Sequence, residues 1–179
     1  MFSALRRVNP AFKDKITPMR GDLTCDALGL NDSDYRTIVE NVNIIFHNGA
    51  AKNLNERANV ALRTNIYGTK RMLELARDCK SLKVFAYIST AYSHCTQKTI
   101  EEKFYNAPAN LKAVDDMIAA DSETVGLTRD ALAMLLGDWP NVYTFSKAIA
   151  EELIQQHAVR SSYACCVFRP SIGELKNVL

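Results

Sequence analysis

The chain's 179 residues are enough for one domain with a real core and short for two. Twenty-two Lys and Arg against twenty Asp and Glu leave a formal charge of +2, mixed along the chain, which gives no electrostatic case for binding nucleic acid or an acidic membrane. The five cysteines are odd in number and lack metal-ligand spacing, so they read as reduced small hydrophobes, and the three histidines are too scattered for a zinc motif. No metal site is expected. No run approaches the roughly twenty apolar residues of a membrane span, and no signal-peptide core opens the chain.

In chain order, "KITPMR" at 15–20 is a candidate strand, edge or irregular because of Pro18, ending at "GDL". Ser33 is the expected cap of a short helix over 34–41. "VNIIFH", 42–47, is a continuous apolar run closed by "NGAA", the pattern of a parallel strand covered on both faces. A helix over 55–79 follows, with a stripe of Ala58, Ala61, Leu62, Asn65, Thr69, Met72 and Ala76 that is interrupted by the Asn65 amide. "KVFAYIST", 83–90, is a second strand, ending in hydroxyls. Residues 93–138 are long and polar for a strand-to-helix connection, a candidate substrate-side excursion. Asn141 is a possible cap for the next helix, which carries Tyr143 and Lys147, and "YACCVF", 163–168, is a third strand closed by "RPS". Successive strand–helix units predict an α/β, Rossmann-like doubly wound parallel sheet with right-handed crossovers.

In such a sheet ligands gather beyond the carboxyl ends of the strands, which is where Asp22, His47 to Ala51, Ser89, Thr90 and Arg169 to Ser171 fall. Tyr143 and Lys147 are four apart, about 40° around a helix, and share a face. If a carbonyl lies there and receives hydride, negative charge grows on its oxygen and a positioned proton donor is needed. A free phenol, with pKa near ~10, is a reluctant donor at neutral pH. An ammonium at about 4 Å favours phenolate by up to ~4 kcal/mol before desolvation, the role assigned to Lys147. Thr90 is the second oxygen ligand, and Asn65, through its amide or the backbone it perturbs, holds a water that links Lys147 to solvent.

Each residue also has a plainer reading: rim packing for Tyr143, a solvated cation for Lys147, a helix bend at Asn65 and a strand end at Thr90. Asp22 is an adenine contact or a turn residue. Gly49, Ala50 and Ala51 allow close backbone approach to a nucleotide or simply make a tight turn. Arg169 is expected to anchor a loop by ion pairing, Pro170 to fix the backbone beside a nicotinamide, and Glu151 and Glu152 to form a solvated helix face. Ser146, inside the helix, is poorly placed as a nucleophile, and no nucleophile elbow is present, which disfavours a hydrolase.

Tyr143-x-x-x-Lys147 with Thr90 in "YISTAY" and Asn65 in "NIYGTK" resembles the active-site set of the extended short-chain dehydrogenase/reductases. "GDLT", "NIIFHNGAA", "NIYGTKRMLELA", "LKVFAYISTAYS", "IEEKFY", "VYTFSKAIAEEL" and "FRPSI", in that order, resemble the alcohol-forming fatty acyl-CoA reductases. The resemblance implies NADPH-dependent reduction of a fatty acyl-CoA to the aldehyde and then the primary alcohol. It makes Tyr143 the acid, Lys147 its tuning cation and ribose contact, Thr90 the second oxygen ligand and Asn65 the relay. Asp22 is then the adenine contact, and Ala50 and Ala51 the pyrophosphate-side loop. "HNGAA" stands where the family more often has Ser and Ala after the His.

None of the seven glycines forms the Gly-rich phosphate loop that opens such domains, so residues 1–179 are expected to be a partial, N-terminally truncated NAD(P)-binding domain that binds NADPH weakly or not at all alone. Membrane association, at a cytosol-facing endoplasmic reticulum or peroxisomal surface, is expected only through segments outside this chain. The alternatives are another extended reductase, acting on a different thioester, a sterol or a nucleotide sugar, and a non-catalytic remnant of the scaffold. An acyl-CoA enzyme requires an apolar groove beside the 93–138 excursion.

Overall fold

A computed structural model of the chain describes residues 3–53, 56–121 and 126–171. Three parallel strands, β1 (Ile44–His47), β2 (Val84–Ile88) and β3 (Ala164–Phe168), form one sheet in the order β1-β2-β3. Ile45 pairs with Phe85, and Phe85 with Cys165. Parallel neighbours need long crossovers, and helices supply them. After α1 (Ser3–Val8) and α2 (Asp32–Asn41), the first crossover is α3 (Ala58–Leu62), a single π turn (Arg63–Tyr67) and α4 (Gly68–Asp78). The second contains α5 (Leu111–Ala120), α6 (Arg129–Leu136) and α7 (Val142–Ala158).

Alternation within the strands sends Phe85 and Tyr87 to one side, where Leu73, Ala76, Ala150 and Ile154 of α4 and α7 bury them. Burying each such ring contributes about 2–3 kcal/mol. The excursion makes a second core, in which Val114, Met117, Ile118 and Leu136 meet Leu62, Ile66 and Phe145. Asp121 ties its end to α3 by accepting from the Asn59 and Leu127 amides at 2.8 and 2.9 Å.

Three sequence expectations change. Residues 10–15 form a tight 3-10 turn and 16–20 no strand: Ile16 donates to Lys13 O, closing the turn, and Pro18 has no N–H to offer a ladder. The cap of α2 is Asn31, whose Oδ1 accepts from the Asp34 amide at 2.9 Å, so the helix begins before Ser33. Among the described residues the helices cover only one sheet face. Ile44, Phe46 and Phe168, on the other, are 52%, 72% and 61% exposed, because both crossovers return on the same side. The expected start of the 55–79 helix lies outside the described residues, and the described helix begins at Ala58.

Candidate active site

Asn141 caps α7 as expected, its Oδ1 accepting from the Thr144 amide at 2.9 Å, and this sets Tyr143 in the first turn facing the exit of β2. Tyr143 is half-buried. Burial pushes its phenol pKa up and the Thr90 side chain pulls the other way, which sets Thr90 near the phenol, while the Thr90 hydroxyl itself accepts from Tyr92 N at 3.3 Å. Thr90 is 6% exposed.

Lys147 lies one turn further along α7, 2% exposed. Its Nζ donates to Ile88 O at 2.6 Å and sits 4.1 Å from the centre of the Tyr87 ring. Burial pulls its pKa down to about 8, with Glu151 acting upward. The leading influences on Tyr143 are burial and Thr90, because the ammonium is turned to Ile88 O and Tyr87. Lys147's charge instead presses on His47, which is buried and, through desolvation first, has its pKa lowered to about 4.

Asn65 lies in the π turn, an irregularity common at functional sites. Its amide is fully engaged: Oδ1 accepts from Ala51 N at 2.8 Å, and Nδ2 donates to Ala51 O at 3.1 Å and Ser146 Oγ at 2.9 Å. Ser146 Oγ in turn donates to Tyr143 O at 2.9 Å. The amide therefore clips the loop after β1 to the helix carrying Tyr143, and the Asn65 carbonyl receives the Thr69 hydroxyl at 2.7 Å. Neither is directed at Lys147.

Asp22 is exposed, and its Oδ1 accepts from Thr24 N and Oγ1 at 2.8 and 2.7 Å. Those bonds, the backbone one foremost, hold its pKa below the ordinary carboxylate value. Its loop closes through successive positive φ angles at Ala27, Leu28 and Gly29, and Leu28 O takes the Asp22 amide at 2.7 Å. Leu23 seats the loop on two glycines: a Cβ at Gly68 would lie 2.9 Å from Leu23 Cβ, and one at Gly49 would lie 2.7 Å from Leu23 Cδ1. Ala50 and Ala51 are half-buried at the exit of β1. Pro170 O accepts from Ala91 N at 2.9 Å, joining the exits of β3 and β2.

The residue that sequence reasoning misplaced is Glu151. It is not on a solvated face but 1% exposed, one turn beyond Lys147. It accepts from Ser89 Oγ, from Ser93 Oγ at 2.8 Å, from His94 Nε2 at 3.0 Å and from Arg169 Nη2 at 2.7 Å. Burial alone would raise its pKa; the bonds from His94, Arg169, Ser89 and Ser93 outweigh it and hold it down to about 2. The signal was its spacing: Tyr143, Lys147 and Glu151 recur every fourth residue along one helical stripe. Arg169 anchors a loop as expected, donating to Glu101 O and Lys103 O at 3.1 and 3.0 Å.

The family model described as Male sterility protein, an NAD-binding family, matches residues 1–173. The chain belongs to this family. It is 37% identical over 172 residues to Fatty acyl-CoA reductase 1 of Homo sapiens, covering 96% of the chain and 33% of that protein. It is 32% identical over 173 residues to Fatty acyl-CoA reductase wat of Drosophila melanogaster, covering 96% and 32%. The chain thus spans about one third of the length of these relatives. In fold it is similar to the terminal R domain of the myxalamid PKS-NRPS pathway, with TM-score 0.60 and 22% identity over 91% of this chain and 34% of that one. It is also similar to RMD from Pseudomonas aeruginosa, solved with NADPH, with TM-score 0.55 and 20% identity over 87% and 44%. The fold is therefore Rossmann-like, as the strand pattern predicts.

The residues present fit the nicotinamide end of such a cofactor. Beyond Asn48 the exit of β1 carries the small residues Gly49, Ala50 and Ala51, its backbone is fixed at Ala51 by Asn65, and Tyr143 and Thr90 lie at the neighbouring exit of β2. Among the described residues no Gly-rich loop is present to cradle a diphosphate.

Proposed function

We propose that this chain is the catalytic part of a reductase that converts long-chain fatty acyl-CoA to the primary alcohol with NADPH, by two hydride transfers through an aldehyde. The observation that carries this reading is the gathering of Tyr143, Thr90 and a buried Lys147 at the exit of β2, where Lys147 Nζ holds Ile88 O and Thr90 acts on the Tyr143 phenol. A bound reduced nicotinamide would supply hydride to the carbonyl carbon. The protein's own part is to hold the carbonyl oxygen between the two hydroxyls, whose hydrogen bonds strengthen as that oxygen gains charge. Tyr143 gives the proton that completes the alcohol. Lys147, with its pKa near 8, is mostly charged at neutral pH, and because its ammonium is committed to Ile88 O and the Tyr87 ring, it favours the phenolate left behind only at longer range.

Asp22, in the loop before α2, and Ala50, Ala51 and Pro170, at the strand exits, are proposed cofactor contacts, together with Tyr143 and Lys147. Asn65, with its amide committed to Ala51 and Ser146, shapes that surface. A groove of about 540 Å³ beside Ala91 has an apolar wall of Ile100, Phe104 and Phe168, which supports an acyl chain as substrate, and a charged one of Glu101, Glu102, Lys103 and Arg169.

The test is product analysis with NADPH and a long-chain acyl-CoA, on this chain and on a version supplied with an N-terminal strand and Gly-rich loop. Alcohol is expected from the supplied version, and Tyr143→Phe should lower its turnover by roughly 10²-fold or more. A drop of less than about threefold would assign the proton to another group.

A further inference from the structure

Lys147 and Glu151 stand one turn apart on α7, both nearly inaccessible, at 2% and 1% exposure. A carboxylate in such a place is costly unless its lone pairs are filled and its charge is met. Arg169 meets the charge, with Nε at 3.1 and 3.2 Å from the two oxygens and Nη2 at 2.7 Å. The Ser89 and Ser93 hydroxyls and His94 Nε2 fill the remaining sites, and since a carboxylate only accepts, His94 carries its proton on Nε2.

The partners are not scattered. Ser89 directly precedes Thr90, Ser93 follows three residues later, and the Ser93 amide donates to Thr90 O at 3.2 Å. The backbone on both sides of Thr90 is also tied to β3 and its exit, through Ser89 N to Phe168 O at 2.7 Å and Ala91 N to Pro170 O at 2.9 Å. Lys147 holds the preceding residue, Ile88, by its carbonyl. α7 thus grips the exit of β2 at two points one turn apart, and the Thr90 hydroxyl emerges beside Tyr143.

The geometry points to Glu151 as a positioning residue of this site: one buried carboxylate fixes the Thr90 hydroxyl against Tyr143 and sets the electrostatic surroundings of the Lys147 ammonium. This role rests on the reductase reading above. It explains why a charge, and not an apolar side chain, occupies the space between Ala150 and Ile154: an apolar group would leave Ser89, Ser93, His94 and Arg169 without their shared acceptor. The groups facing Lys147 are Glu151, His47 and Tyr87; those facing Glu151 are Ser89, Ser93, His94 and Arg169, with the Tyr105 ring tilted against His94 at 4.8 Å between ring centres.

The test needs no turnover, so its failure is distinct from failure of the reductase reading. In the 179-residue chain, carbon-13-labelled lysine and threonine report the titration midpoint of Lys147, assigned by its loss in Lys147→Arg, and the chemical shift of the Thr90 methyl. Glu151→Gln, which removes the charge in an almost unchanged shape, should lower the Lys147 midpoint by about one pH unit and shift the Thr90 methyl. Glu151→Asp should keep the midpoint and still shift Thr90. A folded Glu151→Gln protein with both signals unmoved overturns the proposal. If that variant does not fold, Ser93→Ala decides: Thr90 must move while the Lys147 midpoint stays, and an unmoved Thr90 overturns it.

Discussion

His47 ends β1 with its imidazole 3% exposed, its ring centre 5.5 Å from that of Tyr87 and its Nε2 3.0 Å from Thr69 Oγ1. Thr69 gives its own proton to Asn65 O, so its oxygen accepts, and the imidazole is the neutral tautomer protonated at Nε2. Burial first, and then the charge of Lys147, lower its pKa from 6.5 to about 4, a displacement of about 2.5. A depressed folded pKa contributes stability that is complete above the unfolded value and is lost as pH falls through the folded one. The window is therefore 6.5 to about 4, and the amount is about 3 kcal/mol. His47→Gln keeps an N–H for Thr69 and cannot take up a proton. Urea unfolding followed by fluorescence of Trp139, the chain's only tryptophan, should show the original protein losing about 3 kcal/mol more than the variant between those pH values. Parallel stability profiles would show that this imidazole is not held neutral by its surroundings.

Asn65→Ala should cost about 2–4 kcal/mol in thermal or urea unfolding, because the Ala51 N–H and C=O lose their partner together; a cost below about 0.5 would mean the loop is held by something else. Gly49→Ala and Gly68→Ala should each destabilise by about 1–3 kcal/mol, but for separable reasons. The added Cβ at position 49 meets the end of the Leu23 side chain, so Leu23→Ala should relieve it. At position 68 it meets Leu23 Cβ and, at 3.3 Å, Leu23 O, so the same change should bring no relief, as a double-mutant cycle will show. Lys147→Met removes the charge that presses on His47, and proton NMR should find the His47 midpoint raised above about 4; an unchanged midpoint would leave desolvation as the only cause.

Much of this architecture was written locally. The three strands fall in short apolar runs bounded by turn residues, and α7 begins at a side chain able to cap it. That Tyr143 and Thr90 lie at one edge of the sheet was also legible, because in parallel units strand exits and the helix starts beside them share that edge. The strand expected at 15–20 rested on local composition alone, and a strand requires a neighbour that local composition does not specify.

What the sequence determined by itself was the three strands, the helical crossovers that make them parallel and the shared face of Tyr143 and Lys147. Only the tertiary structure decided which charges on that face are withdrawn from water. Glu151 reads like its solvated neighbours until donors 57 to 62 residues earlier and 18 later close around it. The same holds for Asn65, whose amide finds its partners 14 residues before it and 81 after, and for the sheet face at Phe46 and Phe168 that the described residues leave bare. Burial is a property of what packs against a side chain, and the groups that bury these ones come from distant parts of the chain.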